Sequence, residues 1–171
     1  MWIRDNLPKS VRGIRAILYG YDTELDGSSS FQTINDLAKQ LIDQLQAHRD
    51  PESVTPLVFL AHSLGGLVVK QALRDLAENY PGNEHQALLT AVRGAVFFGV
   101  PNLGMEHREL EAIVRGKPNG VLIRDLSTTS NFIHQLTEAF STNHFHERFK
   151  FFWAYETSVS PTVVVCNHRI Q

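Results

Sequence analysis

The sequence predicts an α/β protein with a mostly parallel sheet and helices on both faces. Short apolar runs alternate with longer stretches of helical periodicity, the pattern of strands joined by helices. The apolar runs are continuous rather than alternating, as in strands covered on both sides. One of them, LVFLA at 57–61, passes through His62 and Ser63 directly into helical spacing.

The elements follow in order along the chain. IRAILY (14–19), ended by Gly20, is expected to be a buried strand. DTELDGSSS (22–30) is loop chemistry rich in turn and capping residues. Phe31, Ile34, Leu37, Ala38, Leu41, Ile42 and Leu45 recur at three- and four-residue steps, one apolar stripe on a helix. Pro51 and Pro56 separate that helix from the strand LVFL (57–60). Leu64, Leu67, Val68, Ala72, Leu73, Leu76 and Ala77 mark a second helix, closed by Tyr80-Pro81-Gly82. AVFF (95–98) is a third strand, stopped by Gly99 and Pro101. Residues 105–142 read as helical pieces at 106–115, 121–126 and 131–141, broken by Gly116, Pro118 and Gly120. FKFFWAY (149–155) is a fourth strand and TVVVC (162–166) a fifth.

With 171 residues and no repeat, low-complexity tract or linker, the chain is expected to form one domain, 1–171. Apolar residues make up 43% and charged residues 20%, as in ordinary globular proteins. A net charge of −2 offers no electrostatic attraction to nucleic acid or an anionic membrane. Cys166 is the single cysteine, so no intrachain disulfide can form. Together with an N-terminus too polar for a signal peptide, this points to a cytoplasmic setting. No apolar run approaches the ~20 residues that span a bilayer. His144, His146, Cys166 and His168 show no CxxC or HExxH spacing, and no metal is expected.

The serine between strand and helix carries the chemistry of the sequence. A hydroxyl there is lifted off the sheet at the edge where such folds bind ligands. The helix start offers free N–H groups and a positive dipole end. The next residue, Leu64, can point its N–H at a developing oxyanion. Such a turn calls for small residues two before and two after the serine; here they are Ala61 and Gly65, with Gly66 following. Ala61 departs from the usual G-x-S-x-G, and alanine is the mildest departure. The alternative is a serine that only caps the helix. His62 reads as structural, since neighbours across a sharp turn point apart.

The stretch AHSLGGLVVKQAL (61–73) resembles the lipase-like serine esterases of the α/β-hydrolase superfamily. It is most similar to hydrolase-like domains found ahead of NACHT or NB-ARC modules in fungal NOD-like receptor proteins. WIRDNLP (2–8), ILYGYD (17–22), FFGVPNLGM (97–105), GKPNGVLIRDLS (116–127) and YETSVSPT (155–162) resemble segments of that group in the same order. The resemblance implies Ser63 as nucleophile, Glu156 as the acid after a late strand, and a helical lid-like insertion over 103–142. It implies an ester or lipid substrate and no metal or organic cofactor.

Two features depart from those relatives. Their preceding strand and His-Gly-rich loop have no counterpart before WIRDNLP. In the superfamily that strand lies between those corresponding to 14–19 and 57–60. Without it the two either close up or leave a gap. The relatives' catalytic histidine lies well beyond YETSVSPT, whereas this chain offers His168, which keeps the order serine, acid, histidine in unfamiliar surroundings. The expected fold is therefore an abbreviated α/β-hydrolase fold lacking the N-terminal strands and the C-terminal histidine segment. The expected function is serine-dependent ester or lipid acyl hydrolysis, with weak or lost activity. The alternative is an inactive signalling or interaction domain.

Overall fold

The computed structural model describes residues 5–22, 30–50, 53, 55–80, 82–105 and 116–155. In chain order these form α1 (Leu7–Ser10), α2 (Ile34–His48), β1 (Leu57–His62), α3 (Leu64–Glu78) and α4 (Asn83–Ala91). There follow β2 (Val92–Phe98), α5 (Gly120–Asp125), α6 (Asn131–Thr142), α7 (Phe145–Arg148) and β3 (Lys150–Ala154).

Helix α2 starts with a capping box. Thr33 Oγ1 accepts from the Asp36 N–H, and the Asp36 carboxylate accepts from the Thr33 N–H. The Thr33 N–H and the Thr33 hydroxyl both donate to the Asp36 carboxylate and hold it below its ordinary pKa. The helix buries Ile34, Leu37, Ala38, Leu41, Ile42 and Leu45, the stripe read from the sequence. Helix α3 is the centre of the packing: residues 66–73 are all buried, including Lys70 and Gln71. It contacts α2, α4, α6 and β1.

The sheet is parallel, in the order β1-β2-β3. Ala61 pairs with Phe97 and Phe97 with Trp153, which places these three on one face. There Phe97 is 1% exposed and stacks on Trp153, with ring centroids 4.5 Å apart. The opposite face carries Val58, Leu60, Phe98 and Phe152, all exposed among the described residues. The chain therefore has an α/β fold, a short parallel sheet with helices packed against it.

The strands expected at 57–60, 95–98 and 149–155 are β1, β2 and β3, with β2 starting three residues earlier. Helix α4 was not apparent from periodicity. It has nine residues and buries only Leu88, Leu89 and Ala91, too few for a stripe. The helical piece expected at 106–115 and the strand expected at 162–166 lie outside the described residues.

IRAILY is not a strand. Residues 14–20 join no ladder, and all but Tyr19 are exposed. The segment takes its hydrogen bonds from α2 rather than from the sheet. Arg15 donates to the His48 carbonyl at 3.2 Å, and Tyr19 Oη to the Leu37 carbonyl at 2.8 Å. Between the segment and β1 lies a groove of about 360 Å³, with Ile14, Ile17 and Leu18 on one wall and Val58 and Leu60 on the other. Of the two expected outcomes at this position, closure or gap, the structure shows the gap.

Because Phe97 is fully buried and packs on Phe151 and Trp153, Phe97→Ala is expected to cost about 3–5 kcal/mol. Phe152→Ala, on the open face, should cost under about 1 kcal/mol. Urea denaturation of the two variants checks the contrast.

Candidate functional site

Strand β1 ends at His62 and α3 begins at Leu64, so Ser63 alone reverses the chain. Its backbone lies at φ 51 and ψ −127, a conformation that L residues rarely adopt. Capping residues sit instead in the extended region and accept a helix N–H through their side chain. Ser63 does neither, and its hydroxyl makes no capping bond. The structure thus removes the capping alternative. The turn is tied by its backbone: the Ser63 N–H donates to the Phe98 carbonyl at 2.9 Å, and the Gly66 N–H to the Ser63 carbonyl at 3.0 Å.

Leu64 is the first residue of α3, so its N–H lies among the amides without an intrahelical acceptor, at the positive end of the helix. Ala61 is buried at 6% exposure, consistent with the size limit two residues before the serine. The limit after it falls one residue later than the sequence pattern suggested. A Cβ on Gly65 would stand 3.4 Å from Tyr21 Oη, ordinary contact. A Cβ on Gly66 would overlap the Val100 side chain.

Val100 belongs to the loop 99–104, which leaves β2 beside the serine turn. Gly99 and Gly104 both have positive φ and let the loop turn twice. The Gly99 N–H donates to the Ala154 carbonyl at 2.9 Å, and the Gly104 N–H to the Pro101 carbonyl at 3.0 Å. Asn102 is held from two helices. Lys70 Nζ of α3 donates to its Oδ1 at 3.1 Å, and Thr137 Oγ1 of α6 donates to its carbonyl at 3.3 Å. The Lys70 ammonium also lies 4.7 Å from the centre of the Phe140 ring. Burial depresses the Lys70 pKa to about 8. These groups line a cavity of about 370 Å³ that extends to Trp153 and Tyr155.

Of the residues singled out in the sequence, Ser63 and Leu64 come together at the turn. Glu156, His168 and Cys166 lie outside the described residues. His62 is exposed at the end of β1 and borders the groove. Outside those residues, Asp125 of the stretch GKPNGVLIRDLS ends α5, where burial raises its carboxyl pKa. His134 is exposed on α6. His144, His146 and Glu147 are exposed, with their ligand atoms within 4.8 Å of one another at the four-residue α7. Among the described residues, Ser63 Oγ has no hydrogen-bond partner. Sequence reasoning missed Lys70 and Tyr21. The available hint for Lys70 was its place in LVVKQAL, behind an unbroken uncharged start to the helix.

A parallel α/β sheet with a serine at a strained strand–helix junction is the architecture of serine-hydrolase-type domains. The chain belongs to the family described as "Putative serine esterase (DUF676)", whose model matches residues 19–165. Protein SERAC1 of Mus musculus is 28% identical over 119 residues, that of Danio rerio 28%, and that of Homo sapiens 29%. The match covers 67% of this chain but only 17% to 18% of those proteins, so the chain spans less than a fifth of their length. No solved structure matches the chain. Among the described residues, no helix is long and apolar enough to cross a membrane.

Gly66→Ala should destabilise the fold by about 1–3 kcal/mol through overlap with Val100. Gly65→Ala should be close to neutral, and chemical denaturation separates the two. Lys70 also predicts a pH dependence. Its pKa of about 8 in the fold lies below the ordinary 10.5, so between these values the unfolded chain binds more protons. Folding stability should therefore rise from pH 8 toward pH 10.5, by roughly 3 kcal/mol from this group. Urea midpoints at pH 7.5 and pH 9.5 should show the rise, and Lys70→Met should remove it.

Proposed function

We propose that the chain is a serine esterase domain acting on carboxylic or lipid acyl esters. The observation that carries this reading is the backbone of Ser63, at φ 51 and ψ −127 with no capping bond. Strain of this kind, worth about 1–3 kcal/mol, persists where surrounding packing enforces it, and it clusters at functional sites. In this reading the junction is a nucleophile elbow. Ser63 Oγ attacks the ester carbonyl carbon and its proton passes to a histidine, for which His168 is the candidate. The Leu64 N–H stabilises the oxyanion. Collapse of the intermediate releases the alcohol, which takes the proton from the histidine, and water then hydrolyses the acyl-serine. Glu156 would orient the histidine. The stretch 103–142 would form a helical cover, consistent with α5 and α6 lying there and with the Met105 N–H donating to the Leu126 carbonyl at 2.8 Å. A cytoplasmic setting fits the single cysteine.

A second reading draws on the Ser63 hydroxyl, which has no hydrogen-bond partner among the described residues. It makes the chain an inactive interaction domain, of the type joined to NACHT or NB-ARC modules in fungal NOD-like receptor proteins. A fluorophosphonate probe distinguishes the two. Covalent labelling of the wild type, lost in Ser63→Ala, is expected for the esterase. Equal labelling of both proteins overturns the role of Ser63. A cooperatively folded wild type that takes no label favours the interaction domain.

A further inference from the structure

We infer that Lys70 is a positioning residue, whose bond to Asn102 clamps the loop 99–104 against the Ser63 turn. The consequence for chemistry rests on the esterase reading, whereas the clamp itself rests on contacts alone.

Lys70 is 3% exposed and is the one charged residue in the buried run 66–73 of α3. A buried ammonium is costly unless it is paired or hydrogen-bonded. No carboxylate pairs with it among the described residues. Its polar contact is the side-chain oxygen of Asn102, 32 residues away in sequence. A charge placed this deep, and satisfied by one neutral amide and one aromatic ring, is poorly explained by stability alone. Replacing such a group with an apolar side chain often leaves a fold no less stable.

The geometry shows what the bond controls. Gly66 and Lys70 stand four residues apart and so share one face of α3. Gly66 receives Val100, and Lys70 holds Asn102. The loop therefore lies along the first two turns of the helix, gripped at both points. On its far side, Thr137 and Phe140, three residues apart on α6, hold the Asn102 carbonyl and the Lys70 ammonium respectively. The loop begins right after Phe98, whose carbonyl accepts the Ser63 N–H. Releasing Asn102 lets Val100 move away from Gly66, and the wall beside the serine moves with it. Displacements of about 1 Å at such positions can cost ~10²-fold in rate.

The test uses Lys70→Met, Asn102→Leu and the double variant, each first shown by urea denaturation to fold. Hydrogen exchange is followed over residues 98–105, whose amides at Gly99, Asn102 and Gly104 are bonded within the loop or to Ala154. The rate of Ser63 labelling by fluorophosphonate is measured beside it. Each single variant should speed loop exchange and slow labelling by about tenfold, and the double variant should add nothing further, because one bond is being removed twice. Unchanged exchange in folded Lys70→Met, or additive effects in the double variant, overturns the proposal. If Lys70→Met fails to fold, Asn102→Leu and Asn102→Asp decide. The first should speed loop exchange and the second, which sets a carboxylate opposite the ammonium, should slow it. Neither effect appearing overturns the clamp. A wild type that takes no label defeats the esterase reading, while the exchange measurements still judge the clamp.

Discussion

The structure depends on one constraint: α3 must be buried on every side over residues 66–73 while the chain enters it directly from a strand of the sheet. Most helices meet solvent on one face and can begin with an ordinary cap. Here residues 66–73 are enclosed by α2, α4, α6 and β1, and nothing separates His62 from Leu64 except one serine. The reversal therefore falls on Ser63 alone. Its unfavourable backbone is offset by the packing of Leu67, Val68, Leu73 and Leu76, each at most 2% exposed. Gly66 answers the same demand, since the helix enters so close to the loop after β2 that Val100 leaves no space for a side chain.

This arrangement explains which parts of the molecule were legible in the sequence. The α2 stripe, the α3 stripe and the three strands are local patterns, and local patterns survive folding when their apolar residues find a core. IRAILY was legible as apolar but not as a strand. Composition shows that a segment seeks cover, whereas a strand also needs a ladder partner in reach. Arg15 and Tyr19 find their acceptors on α2 instead. Helix α4 has too few buried positions to announce itself.

The site divides along the same line. Ser63 was legible because strand, turn and helix adjoin in sequence. The sequence pattern named Gly65 as the tight position, but the close approach belongs to Gly66, because it is set by a loop more than thirty residues downstream. For Lys70 the sequence held only the hint of its place in LVVKQAL: its partner Asn102 lies 32 residues away, and a lysine in a helix ordinarily reads as solvated. Family membership reaches the class of chemistry over residues 19–165, whereas the side chains around the serine give that chemistry its local shape.

The groove beside β1 has a consequence for how the protein behaves in bulk. The outer edge of β1 meets no strand among the described residues, so one row of its amides and carbonyls lacks a ladder. The walls of the groove expose aliphatic side chains: Leu18 is 68% exposed and Val58 55%. The stretch LVFLA of β1 contains no lysine, glutamate or proline, the residues with which sheet edges are usually guarded. Such an edge is a template for strands from other molecules. Among the described residues, this edge is where a charged side chain such as lysine would most oppose the addition of a foreign strand.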